Sequence, residues 1–182
     1  MTELPTTLQE KVRNQEEDVT DFTSQVQGLL EKAGYTIAEI NGQKPWGAYI
    51  RIANEQADSF IEDFFPDLTP EEARMGNQEA EVSPKILIVK PGQRLSLQTH
   101  ARRAERWKFL TQGRYVKGES EDTAHEYEAQ PGDVVQFQKG DLHRLCGVDT
   151  EFVVVAEIWQ HTDPSQLSNE DDIVRLSDDY SR

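Results

Sequence analysis

Two short stretches of the chain carry side chains that could share one chemical task. The first, Pro91–Gly113, reads PGQRLSLQTHARRAERWKFLTQG. Gln98 and His100 alternate with their neighbours, so on a β-strand both point to the same face. Glu105 then opens an alternating run with Trp107 and Phe109. The second stretch, PGDVVQFQKGDLH, ends in His143. An amide oxygen, two imidazoles and a carboxylate can converge on one divalent cation and leave coordination positions open for water or substrate. That donor set does not choose sharply among Zn, Mn, Co, Ni and Fe, and the lack of a cysteine donor argues against a closed structural zinc site. The other two histidines, His125 and His161, fit no such pattern and are expected on the surface.

The spacing PG(x)nQxHxxxxE, followed by G(x)5QxGxxH, resembles the paired motifs of the cupin superfamily. KPWGAY at Lys44–Tyr49, VKPGQRLSLQTHARRAERW at Val89–Trp107 and EDDIVRLSDDYSR at Glu170–Arg182 narrow it further. Together these three blocks resemble the cupin domain of type II phosphomannose isomerases. That domain also forms the C-terminal part of bifunctional mannose-1-phosphate guanylyltransferases. The resemblance implies an all-β fold: a single cupin jelly-roll barrel, here with an N-terminal helix and a short helical insertion. It implies a metal-dependent aldose–ketose isomerase for a sugar phosphate, with mannose 6-phosphate and fructose 6-phosphate as the expected pair. Gln98, His100, Glu105 and His143 would hold one divalent ion. Arg103 matches the arginine of the family's HHxRxExxW block and would stabilise charge in the pocket. Glu157, in the last long strand, is the candidate base. Lys90 and Ser96, ahead of the ligands, would bind phosphate or sugar hydroxyls; Arg175, which with Arg182 matches the family tail, is a further substrate-binding candidate.

The chemistry fits such a site. Moving a proton between C1 and C2 of a sugar builds charge on two oxygens, which a divalent cation stabilises as a Lewis acid. A base must carry the proton, and a metal-bound carboxylate such as Glu105 is a weak one. The departures from the family touch the surroundings of the four ligands. Gln138 stands where a proline is usual, Gly147 where an asparagine is, Ala101-Arg102 in a run of histidines, Ser181 before the tail arginine, and Trp159 where the family has glutamine. Surroundings tune metal sites, so two further readings stay open. One is a non-catalytic sugar-binding cupin, accessory or regulatory in polysaccharide or nucleotide-sugar metabolism. The other is an iron cupin that activates oxygen. No Gly-rich nucleotide-binding segment occurs, so nucleotidyl transfer is not expected.

The elements that must position these residues read as follows. Residues 1–43 form an N-terminal helical extension, and residues 44–182 the cupin domain with an insertion at about 54–84. Leu8 and Val12 hint at a weak first helix. Asp21–Lys32 reads as a second, with Phe22, Val26, Leu29 and Leu30 on one face, Thr20 or Asp21 as cap and Gly34 as stop. It is expected to pack on the outside of the barrel. Tyr35–Ile40 reads as a strand ended by an Asn41-Gly42 turn. In the insertion, SFIEDFF and a capped TPEEA predict two short helices. They would either cover a barrel mouth or meet a second copy in a homodimer. From Lys85 onward, short alternating runs separated by Pro91-Gly92, Gly113, Pro131-Gly132 and Gly140 predict antiparallel strands. Trp46, Trp107 and Trp159 are expected in the core, and Ile173-Val174 docks the tail.

The chain has 182 residues, enough for one domain with appendages, and is 36% hydrophobic. A net charge of −15 argues against nucleic acid and requires any phosphate site to be locally basic. No apolar run is long enough to span a bilayer, so no membrane role is expected. The single cysteine, Cys146, suits a reducing, cytoplasmic setting.

Overall fold

A computed structural model describes residues 4–11 and 18–180. Val12, Ser181 and Arg182 lie outside the described residues. The chain begins with helices α1 (Leu4–Lys11) and α2 (Val19–Lys32), then a hairpin of β1 (Ile37–Lys44) and β2 (Gly47–Ile52). Helices α3 (Ala57–Phe64) and α4 (Pro70–Arg74) follow, then β3 (Lys85–Val89), β4 (Leu97–Thr99), β5 (Arg103–Phe109) and β6 (Gly113–Gly118). The last strands are β7 (His125–Ala129), β8 (Val134–Phe137), β9 (Leu142–Cys146), β10 (Val153–His161) and β11 (Val174–Ser177).

The strands form two antiparallel sheets in a jelly-roll arrangement, ordered β1-β2-β3-β10-β5-β8 and β11-β4-β9-β6-β7. Strands β3 and β10 are buried along nearly their whole length, because the first sheet is covered on both faces. Ile86, Ile88, Val154, Ala156 and Ile158 face an outer layer with the helices, while Leu87, Val89, Val153 and Val155 face inward with Trp107, Phe109 and Phe137. Residue parity along these strands therefore decides which side chains reach the space between the sheets.

Helix α2 lies on the outside, as its apolar stripe requires, with Phe22, Val26 and Leu30 buried. Its start differs from the expected one. Asp18 is the cap, its carboxylate accepting from the Thr20 amide at 2.8 Å, and the helix begins at Val19. Gly34 ends it with φ +95°, a conformation that favours glycine.

The Asn41-Gly42 pair does not turn the chain. It runs inside β1, where a register shift between Asn41 and Lys44 absorbs it as a bulge. The reversal occurs at Lys44–Gly47, around Pro45, which has no amide to give a ladder. Gly47 has φ +150°, and a Cβ there would sit 2.0 Å from the Ile88 carbonyl oxygen.

The insertion forms the two short helices, and Thr69 and Glu72 make a reciprocal capping box on α4. Its helices pack on the outer face of the first sheet. Phe60, Ile61 and Phe64 are fully buried against the outer face of the first sheet, each worth about 1.5–3 kcal/mol of burial.

Candidate metal centre

Strand register brings the predicted donors together. Gln98 on β4 lies directly opposite His143 on β9. Glu105 on β5 lies between Phe137 of β8 and Trp159 of β10. His100 stands just past β4, in a turn fixed by the tail. The carboxylate of Asp172 accepts the amides of Ala101 and Arg102 at 2.9 and 3.0 Å and the Ser168 hydroxyl at 2.7 Å.

His100 Nε2 lies 3.0 Å from Glu105 Oε1, and His143 Nε2 lies 3.4 Å from Glu105 Oε2. The three side chains offer donor atoms all within 4.8 Å of one another. All three are 2% exposed or less. Each imidazole has its Nδ1 against a backbone carbonyl, that of Asp172 for His100 and that of Asp141, at 3.1 Å, for His143. A neutral ring that donates from Nδ1 presents a lone pair at Nε2. Two lone pairs thus face a carboxylate; Arg103 lies 3.3 Å from His100 Nε2 and the Gln98 amide nitrogen 3.5 Å from His143 Nε2, and a proton or a cation held among the three side chains would relieve the repulsion that remains. The His143 contact fails hydrogen-bond geometry, leaving Glu105 Oε2 buried without a partner. These residues fit a divalent cation. Gln98 points its Nε2 at His143, 3.5 Å away, and its Oε1 accepts from Ser96 at 3.0 Å. Its amide must flip for the oxygen to join the donors.

Arg103 is buried and committed. It donates to Glu105 Oε1 at 2.9 Å, to Ser168 Oγ at 3.1 Å and to the carbonyls of Asn169 and Asp172, and its guanidinium stacks 4.0 Å from the Trp159 ring. Burial alone would push the Glu105 carboxyl up. With a proton rather than a cation in the cluster, the charges of the protonated His100 and of Arg103, with the hydrogen bond from His100, outweigh it and hold the group well below the usual carboxylate range.

A cavity of about 170 Å³ opens beside this cluster. Gln98, Ser96, Arg103 and Glu105 line it, together with Glu157, Arg175 and the pair Lys44 and Lys85. Glu157 projects inward from β10, and its Oε2 accepts from Trp107 Nε1 at 3.1 Å. Burial, then the charge of Glu105, raise its carboxyl to about 7 against the opposing pull of Lys85 and Arg103.

Lys90 does not line the cavity. It shares the parity of Ile86 and Ile88, which face the helices, whereas Lys85 shares that of Leu87 and Val89. Lys44 and Lys85 supply the cationic lining in its place. Alternation in KILIVK could have pointed to Lys85 once the inward parity was known. His161 is not a surface residue either. It is buried, its Nε2 against the Glu81 carbonyl at 2.8 Å and its Nδ1 accepting from the Ser168 amide at 3.1 Å. Its role is to tie the tail to the insertion. His125 is exposed, and Cys146 is a buried free thiol pushed up to about 11 by desolvation. No helix among the described residues is long and apolar enough to cross a membrane.

A family model described as Mannose-6-phosphate isomerase C-terminal matches residues 74–178. No curated protein sequence matches the chain. Among solved structures, the capsular polysaccharide assembling protein CapF from Staphylococcus aureus is similar with a TM-score of 0.52 at 16% identity, over 78% of this chain and 32% of that one. Oxalate decarboxylase from Bacillus subtilis at pH 4.6 is similar with a TM-score of 0.50 at 16% identity, over 74% of this chain and 29% of that one. BH2720 from Bacillus halodurans gives a TM-score of 0.42 at 13% identity, over 45% of this chain and 64% of that one. The aligned part is thus about a third of CapF and of the decarboxylase, and the likeness to them is one of fold.

Proposed function

The chain belongs to the mannose-6-phosphate isomerase C-terminal family of cupin domains, and from this we propose that it is a metal-dependent aldose–ketose isomerase acting on a sugar phosphate. Mannose 6-phosphate and fructose 6-phosphate are the first pair to assay. The observation that carries this reading is one cavity lined both by Glu105, a donor of the three-residue cation site, and by a separate buried carboxylate, Glu157.

His100, Glu105 and His143 would hold the ion, with Gln98 joining once its amide is turned. A divalent ion there supplies Lewis acidity to sugar oxygens on which charge develops. Glu157 carries the proton. Burial raises its carboxyl above the ordinary carboxylate range, which makes it a better proton acceptor, so one residue can accept a proton at C2 and return it at C1. The Trp107 indole holds Oε2, which leaves Oε1 for the substrate. Arg103 fixes the orientation of Glu105 and keeps a positive charge beside it. Lys44, Lys85 and Arg175 give the cavity a basic wall in an otherwise acidic protein, which suits an anionic sugar.

A coupled assay on mannose 6-phosphate, with and without chelator, tests the reading. The expected result is turnover that the chelator abolishes and an added divalent ion restores. A metal-loaded protein with no turnover on any aldose or ketose phosphate would overturn it.

A further inference from the structure

We propose that Glu170 sits in the anion subsite of this cavity as an internal competitor, and that the anionic group of the substrate displaces it from Lys85 and Ser83. The inference rests on the sugar-phosphate reading above and names the residues that recognise the phosphate.

Glu170 Oε1 lies 2.8 Å from Lys85 Nζ and 3.2 Å from Ser83 Oγ. An anionic oxygen held by an ammonium and a hydroxyl is also how a phosphate oxygen is bound. The two sides of the contact differ in kind. The Lys85 side chain is 11% exposed, whereas that of Glu170 is 58% exposed. Lys85 is built into β3 with Ser83 buried two residues ahead of it, and the occupant reaches them from the solvent side. Lys85 and Ser83 hold the Glu170 carboxyl below its ordinary range, although burial works the other way.

The surroundings continue the subsite. Lys85 Nζ lies 4.9 Å from the Trp159 ring centroid and 5.9 Å from that of Tyr49, whose other cationic neighbour is Lys44 at 5.7 Å. Lys85 also acts electrostatically on Glu157. Lys85 on β3 lies directly opposite Glu157 on β10, so an anion on Lys85 holds its sugar beside the buried carboxylate. A buried ammonium with no counter-charge is costly, which explains why a resident carboxylate covers Lys85 when no substrate is present.

Displacement requires little of the backbone. Asp172 donates its amide to the Asn169 carbonyl at 3.0 Å, and the same carbonyl accepts from Arg103 at 3.1 Å. The Asp172 carboxylate is bonded to the turn after β4. The residues on both sides of Glu170 are thus pinned, and rotation of its side chain alone moves the carboxylate into solvent.

A competitor that covers the site most of the time weakens apparent affinity by the fraction of time the site is free. Partly exposed ion pairs are worth about 1 kcal/mol, so removing the competitor should tighten anion binding roughly five- to tenfold. The test is calorimetric titration of the purified protein with inorganic phosphate at low salt, for wild type, Glu170→Gln and Lys85→Gln. Glu170→Gln is expected to bind phosphate about five- to tenfold more tightly than wild type, and Lys85→Gln at least tenfold more weakly. Mannose without phosphate is expected to bind wild type and Glu170→Gln alike. Phosphate affinity that is unchanged or weaker in Glu170→Gln overturns the proposal, and a lowered melting temperature without tighter binding shows a purely structural ion pair. Mannose binding without any phosphate binding overturns it too. Chelator-sensitive turnover would still stand in each of these cases, so the isomerase reading fails or survives separately.

Discussion

Glu157→Gln separates the cost of burying a carboxylate from its chemical use. Glutamine has nearly the same shape and still offers an oxygen to the Trp107 indole, which lies 3.1 Å from the carboxylate in the wild type. What it removes is the charge. The Glu157 carboxyl is raised from 4.5 to about 7, so the folded protein binds this proton more tightly than the unfolded chain. Between those two values the unfolded chain has released the proton and the folded protein still holds it. Stability from this group therefore falls as pH rises through that window, and the loss is complete above about 7. A shift of that size corresponds to about 3 kcal/mol. Metal-free Glu157→Gln should exceed wild type by about 1 kcal/mol at pH 5.5 and about 3 kcal/mol at pH 8. For a chain of this length the larger figure raises the melting temperature by about 6–12 °C. Urea unfolding in the presence of chelator at both pH values measures the difference. Turnover of the metal-loaded variant should fall by about 10²–10⁴-fold, the usual contribution of a positioned acid or base. A variant less stable than wild type at pH 8, or a stability difference independent of pH, would refute the reasoning about the charge. Undiminished turnover would refute the assignment of the base.

Arg103→Ala leaves Glu105 buried without its cation and should cost about 3–5 kcal/mol, seen as a drop of roughly 6–20 °C by calorimetry. Arg103→Lys should recover little, because one ammonium cannot reproduce bonds to Glu105, Ser168 and two carbonyls together. Asp172→Asn weakens the cap that sets the His100 turn and should lower metal affinity about 10–100-fold, measured by competition with a chromophoric chelator. Gly47→Ala forces a Cβ onto the Ile88 carbonyl at a positive φ and should destabilise by about 3 kcal/mol or more, read from the shift in urea midpoint.

Much of the site was legible because its donors lie in two compact motifs. Gln98 lies on β4 and His100 just past its end, Glu105 lies on the next strand, and His143 lies on the strand that pairs with β4. Alternation within a few residues survives whatever the rest of the chain does. The basic wall was not legible in that way. Lys85 and Glu170 meet through the tail folding back over β3, and no local pattern encodes a contact across 85 residues. Lys90 was the wrong lysine of the same strand segment, since only register against β10 shows which parity faces inward. His161 looked like a surface residue because its partners, Glu81 and Ser168, belong to the insertion and the tail. Asn41-Gly42 shows the reverse failure: a strong local turn signal yields when a neighbouring strand can absorb it as a bulge. The helices of the insertion were readable from Thr69, Pro70 and Glu72, but their docking depended on an apolar sheet back that only the assembled fold reveals.

The central claim is that His100, Glu105 and His143 together hold a divalent cation. Metal content and affinity of the purified wild type, set beside His143→Ala, test it most directly. One ion per chain in the wild type, with at least a hundredfold weaker binding in a folded His143→Ala variant, is the predicted result. A wild type that takes up no divalent ion, or a variant that binds as tightly as the wild type, would contradict it.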